Sequence, residues 1–388
     1  TEKSTRYQKW GKEDYHHPEE LQNHPLQSLY QDTVLSLFTA YEEALPKIRQ
    51  VIQQKYPARD GESEAAWERR IRSKYVDIAR FYLPAAALAN VGVTINARAL
   101  EHTLTKMLSH PLSEVRHIGE EMKAVAQANV PTLVKYATPL PYLQHTPQQL
   151  QSLAAHVKEN TLPSDWCRLV FRDEEAEVRV LAAALYRFSN ADYEWCLEFV
   201  KSADLESRHK IAEILLGGLE KHTVPLRELE YTSFVFDLYL DQGAYFALKR
   251  HRMMTQTPQS LSTQLGYALP KGIVLAGLEE HVHKAMRMAH TAYCQLAQFN
   301  RDVASYVVPN AFNRRVLLQM NLRSADHLIA LRSADNAHFS LRRVVQRMAE
   351  EIKEALPLFA PFMRNNPAET WQSIEQEYFH ETRVIIPQ

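Results

Sequence analysis

The sequence predicts an α+β, helix-rich chain made of two tandem copies of one domain, each with a small sheet packed by long helices. Three observations carry this expectation. Apolar residues recur at spacings of three and four in LYQDTVLSLFTAYEEALPKIRQVIQQ and FSLRRVVQRMAEEIKEALPLF, which places them on one helix face. Two shorter segments, WCRLVF at 166–171 and TSFVFDLYL at 232–240, are rich in the aromatic and branched residues that suit strands. Short motifs also recur at one offset: Pro84 and Pro309, Asn96 and Asn321, Arg98 and Arg323, His102 and His327 are each 225 residues apart.

The repeat divides the chain into a first copy at 1–150 and a second at 151–388 that ends in a C-terminal tail. In the first, VDIARFYLP (76–84) and INARALEH (95–102) answer VASYVVP (303–309) and MNLRSADH (320–327) in the second. The Pro-rich stretches ATPLPYLQHTP (137–147) and ENTLPSD (159–165) punctuate the boundary. With 388 residues, 45% of them apolar and 23% charged, the chain can bury a sizeable core. A formal net charge of −1 gives no global field for nucleic acid or an anionic membrane surface. Three cysteines without CxxC spacing read as buried structural thiols in a reducing compartment. No apolar run reaches a membrane-spanning length of about 18 residues, so a cytoplasmic protein is expected.

Two patterns carry candidate chemistry. Asn96, Arg98 and His102, and again Asn321, Arg323 and His327, set an Arg and a His four apart on one helix face behind an Asn. A solvated face with a capping Asn accounts for one copy; the recurrence in both favours a binding face. At 250–252 stands Arg250-His251-Arg252, which in an extended segment turns two guanidiniums to one side, a geometry suited to phosphate or pyrophosphate. Alone, the triplet also reads as a surface cluster. Around His281 and His283, and His16 with His17, no accompanying Cys or carboxylate makes a specific ligand pattern, so no metal is expected.

In context these residues resemble the flavin-dependent thymidylate synthases, whose signature runs RHR, two residues, Ser, one residue, Asn-Glu, one residue, Ser, one residue, Arg-Tyr. The second copy holds the front of it, with Arg250, His251 and Arg252 followed by Thr255 and Ser260. The opening TEKSTRY holds the back of it as Glu2, Ser4, Arg6 and Tyr7, so the first copy lacks its front part and its RHR half is expected before residue 1. LRELEYTSFVF resembles the segment before the triplet, with Tyr231 in place of His. MNLRSADHLIALRSADNAHFSLRR resembles the family's Asn-x-Arg helix, followed by Arg332 and by His338 in place of Gln.

The resemblance implies reductive methylation of dUMP to dTMP in nucleotide biosynthesis, with FAD as cofactor and methylenetetrahydrofolate and NADPH as co-substrates. It implies a nucleotide site of Glu2, Ser4, Arg6, Arg80 and Arg332. It implies flavin contacts from Arg250, His251, Arg252, Asn321, Arg323 and His327, with Asn96, Arg98 and His102 as their first-copy counterparts. The departures are unequal. Ser305 stands opposite Arg80, Met107 opposite Arg332, Pro258 and Ser262 opposite Glu2 and Arg6, and Ala247 replaces a Gln. Such complementary losses predict a composite site shared by the two copies, in a homodimer that mimics the family's tetramer. Methylation or hydroxymethylation of another uridine nucleotide, and a non-catalytic flavin- and nucleotide-binding scaffold with decayed sites, are the alternatives.

Overall fold

The computed structural model describes residues 8, 10–11, 13–157, 165–220 and 222–387. They form two compact units, and these units are not the two sequence copies. The first takes the described residues up to 157 together with 262–264 and 278–309; the second takes 165–261, 265–277 and 310–387. A segment of the second copy thus belongs to the first unit.

The first unit is helical. α1 (Gln27–Lys55) buries Tyr30, Val34, Leu37, Phe38, Tyr41, Ala44, Ile48 and Ile52, the three-and-four spacing read in the sequence. α2 (Glu64–Ala79) starts at Ser63, whose side chain accepts from the Ala66 N–H at 3.3 Å, and runs into a 3-10 turn at Arg80–Tyr82. α3 (Ala97–Leu108), α4 (Ser113–Asn129) and α5 (Pro141–Ala154) follow. Leu104, Ala126, Val134 and Ala137 make a small satellite core beneath them. Part of the Pro-rich stretch expected as punctuation is therefore helix: Pro141 occupies the first turn, where its missing N–H costs nothing. From the second copy come α11 (Glu279–Phe299) and α12 (Arg301–Ala304), and α11 packs on α1. His281 ties the pair, with Nδ1 3.1 Å from the Tyr82 hydroxyl and Nε2 3.2 Å from the Glu43 carboxylate.

All six strands among the described residues lie in the second unit, so the small sheet expected for each copy is found in the second. β1 (Cys167–Arg172), β2 (Phe234–Asp241), β3 (Thr255–Pro258) and β5 (Asn313–Met320) form one sheet in the order β1-β2-β5-β3, every pair antiparallel. β1 and β2 are the two segments marked as strands by composition. Phe234, Phe236, Leu238 and Leu240 alternate inward and meet Val316, Leu318 and Met320 of the facing strand. β4 (Tyr267–Pro270) pairs with β6 (Phe379–Val384) in a second, two-stranded sheet. The helices of this unit are α6 (Ala176–Tyr186), α7 (Tyr193–Ser202), α8 (Leu205–Leu216), α9 (Gln242–Leu248), α10 (Lys271–Leu275), α13 (Leu322–Arg332), α14 (Phe339–Ala355) and α15 (Trp371–Tyr378). α14 seals the core with Leu341, Val344, Val345, Met348 and Ile352.

The offset of 225 holds element by element. The turn Arg80–Tyr82 corresponds to the turn Ser305–Val307, α3 to α13, and α4 to α14 with a shift of one residue. Asn96 caps α3 through its Oδ1 and the Ala99 N–H at 2.9 Å; Asn321 caps α13 through the Ser324 N–H at 2.9 Å. Within the first unit, Pro84 pairs antiparallel with Pro309, its own equivalent. Ala85 N–H donates to Val308 O at 3.0 Å and Ala86 N–H to Tyr306 O at 2.9 Å. A residue paired with its own counterpart is the local mark of a two-fold contact.

Candidate functional site

The best-formed candidate site lies in the second unit, where the Arg250–Arg252 triplet meets α13. β2 ends at Asp241, whose Oδ1 accepts the Ala244 N–H at 2.8 Å and starts α9; its other oxygen accepts the Ser340 hydroxyl. Burial holds the Asp241 carboxyl above its ordinary range, against the pull of those donors. α9 then delivers the triplet in a turn rather than the extended segment expected. The alternation survives, with His251 buried and Arg250 and Arg252 exposed. His251 N–H donates to Leu248 O at 3.0 Å, and its carbonyl accepts the Gln256 amide at 2.8 Å.

The imidazole of His251 faces α13. Its Nε2 accepts from Arg332 Nε at 2.8 Å, which places the ring proton on Nδ1, and its ring centre stands 5.8 Å from that of His327. Ser324, one turn above, donates its hydroxyl to Met253 O at 2.7 Å, and the Leu322 N–H donates to the Thr232 hydroxyl at 3.0 Å. Helix and triplet are thus fastened at several points. Burial first, then the Arg332 and His327 charges, push His251 down to about 4. At neutral pH the imidazole is a neutral acceptor among cations, and the exposed guanidiniums of Arg250 and Arg252 suit an anionic ligand.

This arrangement carries a pH dependence. The folded pKa of His251 lies below its ordinary 6.5, so the unfolded chain takes the proton first as the pH falls. The stabilisation is complete above about 6.5 and is lost between there and about 4. Urea unfolding at pH 7 and pH 4.5 should show wild type losing more stability than His251→Gln; equal losses would refute the assignment.

The other sequence candidates are distributed unevenly. The side chain of Asn321 is committed to its cap, and Arg323 donates to Pro225 O at 3.0 Å and to Glu230 at 3.1 Å, so both organise the site from behind. Glu230 also takes a two-pronged contact from Arg227, which with Arg323 holds its carboxyl below the usual range. In the first unit Arg80 lies 3.4 Å from the buried Asp77. Arg98 is 88% exposed and reaches Glu101, one turn along α3, at 3.2 Å; His102 is exposed, and Asn96 is a cap. Glu2, Ser4 and Arg6 lie outside the described residues. Tyr231 is exposed beside Tyr193, with ring centres 6.3 Å apart, and His338 is buried and stacked on Phe339 at 4.5 Å. Sequence reasoning missed Glu230, Ser324 and Thr232, polar residues with no spacing signal. Among the described residues no helix is long and apolar enough to cross a membrane.

Comparison with known proteins identifies the family. The family model described as "Thymidylate synthase complementing protein" matches residues 1–132 and again 168–358, two blocks that follow the repeat. A "UPF0159 protein" of Chlamydia muridarum is 32% identical over 380 residues, covering 94% of this chain and 72% of that protein. A UPF0159 protein of Thermoplasma acidophilum is 26% identical over 366 residues, covering 86% and 72%. A "Flavin-dependent thymidylate synthase" of Sulfurisphaera tokodaii is 28% identical over 162 residues, covering 36% of this chain and 62% of that protein. The chain belongs to the thymidylate synthase complementing protein family.

Proposed function

We propose that this protein methylates a pyrimidine nucleotide of the dUMP class with a bound flavin, using methylenetetrahydrofolate and NADPH. The observation that carries the reading is the contact of Arg332 with His251, which joins Arg332 to the triplet in one cluster. The donor set fits the anionic part of a flavin dinucleotide or a nucleotide: Arg250 and Arg252 are exposed, and His251 is neutral. A bound flavin supplies the redox and one-carbon chemistry. The chain's residues bind and orient: Arg250 and Arg252 take phosphate oxygens, Arg332 serves the base side of the nucleotide, and His251 fixes the Arg332 fork. Asn321 and Arg323 hold the helix that presents His327 and Arg332. We extend the nucleotide site to the first copy, with Ser4, Arg6 and Arg80 taking the phosphate and Glu2 nearby on the nucleotide.

One observation favours a second reading, a binding scaffold without turnover. In the first copy the counterpart of Arg323, Arg98, is exposed and contacts its own helix, while Pro258 and Ser262 break the signature of the second. The experiment is flavin absorbance of the purified protein after FAD is added, then dUMP titration by calorimetry, then the methylation assay with both co-substrates. Flavin and dUMP binding with turnover is the expected result. Binding without turnover selects the scaffold, and binding of neither overturns both.

A further inference from the structure

The family match ends at residue 358, yet the chain continues into an ordered segment, with a 3-10 turn at Ala360–Phe362, α15 and β6. Its first part grips α13. Arg364 makes a two-pronged contact with the carboxylate of Asp326, Nε to Oδ1 at 3.1 Å and Nη2 to Oδ2, and Asp326 is 4% exposed. The same guanidinium donates to Glu220 O at 2.8 Å and Thr223 O at 3.1 Å, in the loop whose Pro225 carbonyl Arg323 holds. Two residues on, Asn366 N–H donates to the hydroxyl of Ser333 at 2.9 Å, and Ser333 is 1% exposed. The Asn366 side chain donates to Asp335 at 2.8 Å.

The gripped residues are the immediate neighbours of the site. Asp326 precedes His327, and Ser333 follows Arg332. The rear of the segment is pinned to α14, through Glu369 on Arg342 at 3.4 Å, Glu375 on Arg343 at 2.6 Å, and Tyr378 stacked on Phe339 at 5.0 Å, while β6 pairs with β4. A strap anchored on one helix and reaching to the two ends of another's ligand-facing stretch fixes where that stretch stands.

We infer that residues 364–366 are a positioning strap for α13, with Arg364 and Ser333 setting the place of His327 and Arg332 against His251. This rests on the functional reading above for its consequence, but not for its geometry. Arg364 touches no residue of the cluster itself; it acts through Asp326 and the backbone of the 220–225 loop. Such indirect support is what keeps a ligand-facing constellation in register.

The test reads His251 directly. Proton NMR titration of the imidazoles, with His251→Gln assigning the signal, is run on the full chain for wild type, Arg364→Ala, Arg364→Lys and the milder Ser333→Ala. If the strap positions α13, Arg364→Ala moves His251 upward from about 4 toward 6.5 by about one pH unit or more, as Arg332 withdraws and water enters. Ser333→Ala moves it the same way by less, and Arg364→Lys recovers part of the wild-type value. Val180→Ala, a truncation in α6 that shares the core of this unit but none of the polar contacts of Arg364, serves as the control for general loss of stability and should leave His251 in place. An unmoved His251 in Arg364→Ala, or in Ser333→Ala should the former not fold, overturns the strap. The readout needs no ligand, so a protein that shows the shift yet binds no dUMP keeps the strap and loses the proposed function.

Discussion

Arg332→Ala is expected to weaken dUMP binding to the flavin-loaded protein by about 10- to 150-fold. A charge-assisted hydrogen bond contributes roughly 1.5–3 kcal/mol, and each 1.4 kcal/mol is about tenfold in affinity. Arg332 is the last residue of α13, where the helix dipole favours a cation, and its Nε is already committed to His251. That commitment turns the fork to one orientation, so a ligand meets a guanidinium already ordered by the protein. Arg332→Lys should rescue little, because an ammonium on a flexible stem cannot hold His251 and the ligand together. Met107→Arg, the change that restores the residue in the first copy, should leave affinity unchanged. Calorimetry on the three variants decides the matter: an Arg332→Ala protein that binds dUMP as wild type does removes Arg332 from the site.

Glu375→Ala should destabilise the fold by about 2 kcal/mol, a buried-pair loss discounted for solvent at Glu375. Arg343 is 5% exposed, its Nε lies 2.6 Å from the Glu375 carboxylate, and its guanidinium carbon sits 3.6 Å over the Trp166 ring. Burial lowers its pKa, and Glu375 is the first charge that opposes this, with Asp241 a further one. Removing one partner of a fully buried pair costs roughly 3–5 kcal/mol, and the Glu375 side chain, 36% exposed, is screened by solvent and contributes less than that. Asp241 beside the same guanidinium reduces the loss further. Replacing both partners, as in Arg343→Met with Glu375→Leu, should recover most of it, since apolar groups of similar volume are tolerated where an ion pair was. Urea unfolding followed by tryptophan fluorescence measures both. A Glu375→Ala loss within about 0.5 kcal/mol, the range of an ordinary surface change, would mean that Asp241 alone neutralises Arg343.

What the sequence made legible was local. The offset of 225 located both Asn caps, because a cap needs only an Asn three residues before a waiting N–H. Branched and aromatic runs located β1 and β2, and the alternation of the triplet located a buried His between two exposed Args. The partners chosen across long stretches of chain were not legible. Nothing in the spacing of Arg323 says that its guanidinium is directed to Glu230 and Pro225 O, about 95 residues earlier. Nothing in α11 says that its apolar face meets α1 rather than its own copy, since any helix of matching ridges would serve. The tail drew no expectation because it repeats nothing and carries no motif.

The placement of α11 and α12 has a consequence for how the chain is made. The first unit is complete only when Pro309 has been synthesised, although most of it is finished by residue 157. At about 5–20 residues per second, a ribosome needs roughly 8–30 s to cover that interval. Throughout it, the α1 side chains that pack on α11 have no native cover, while the strands of the other unit emerge one by one. The helix α1 therefore waits for its partner across most of the second copy's synthesis, and a translational pause beyond Pro309 would let the first unit close where one between the two sequence repeats would not.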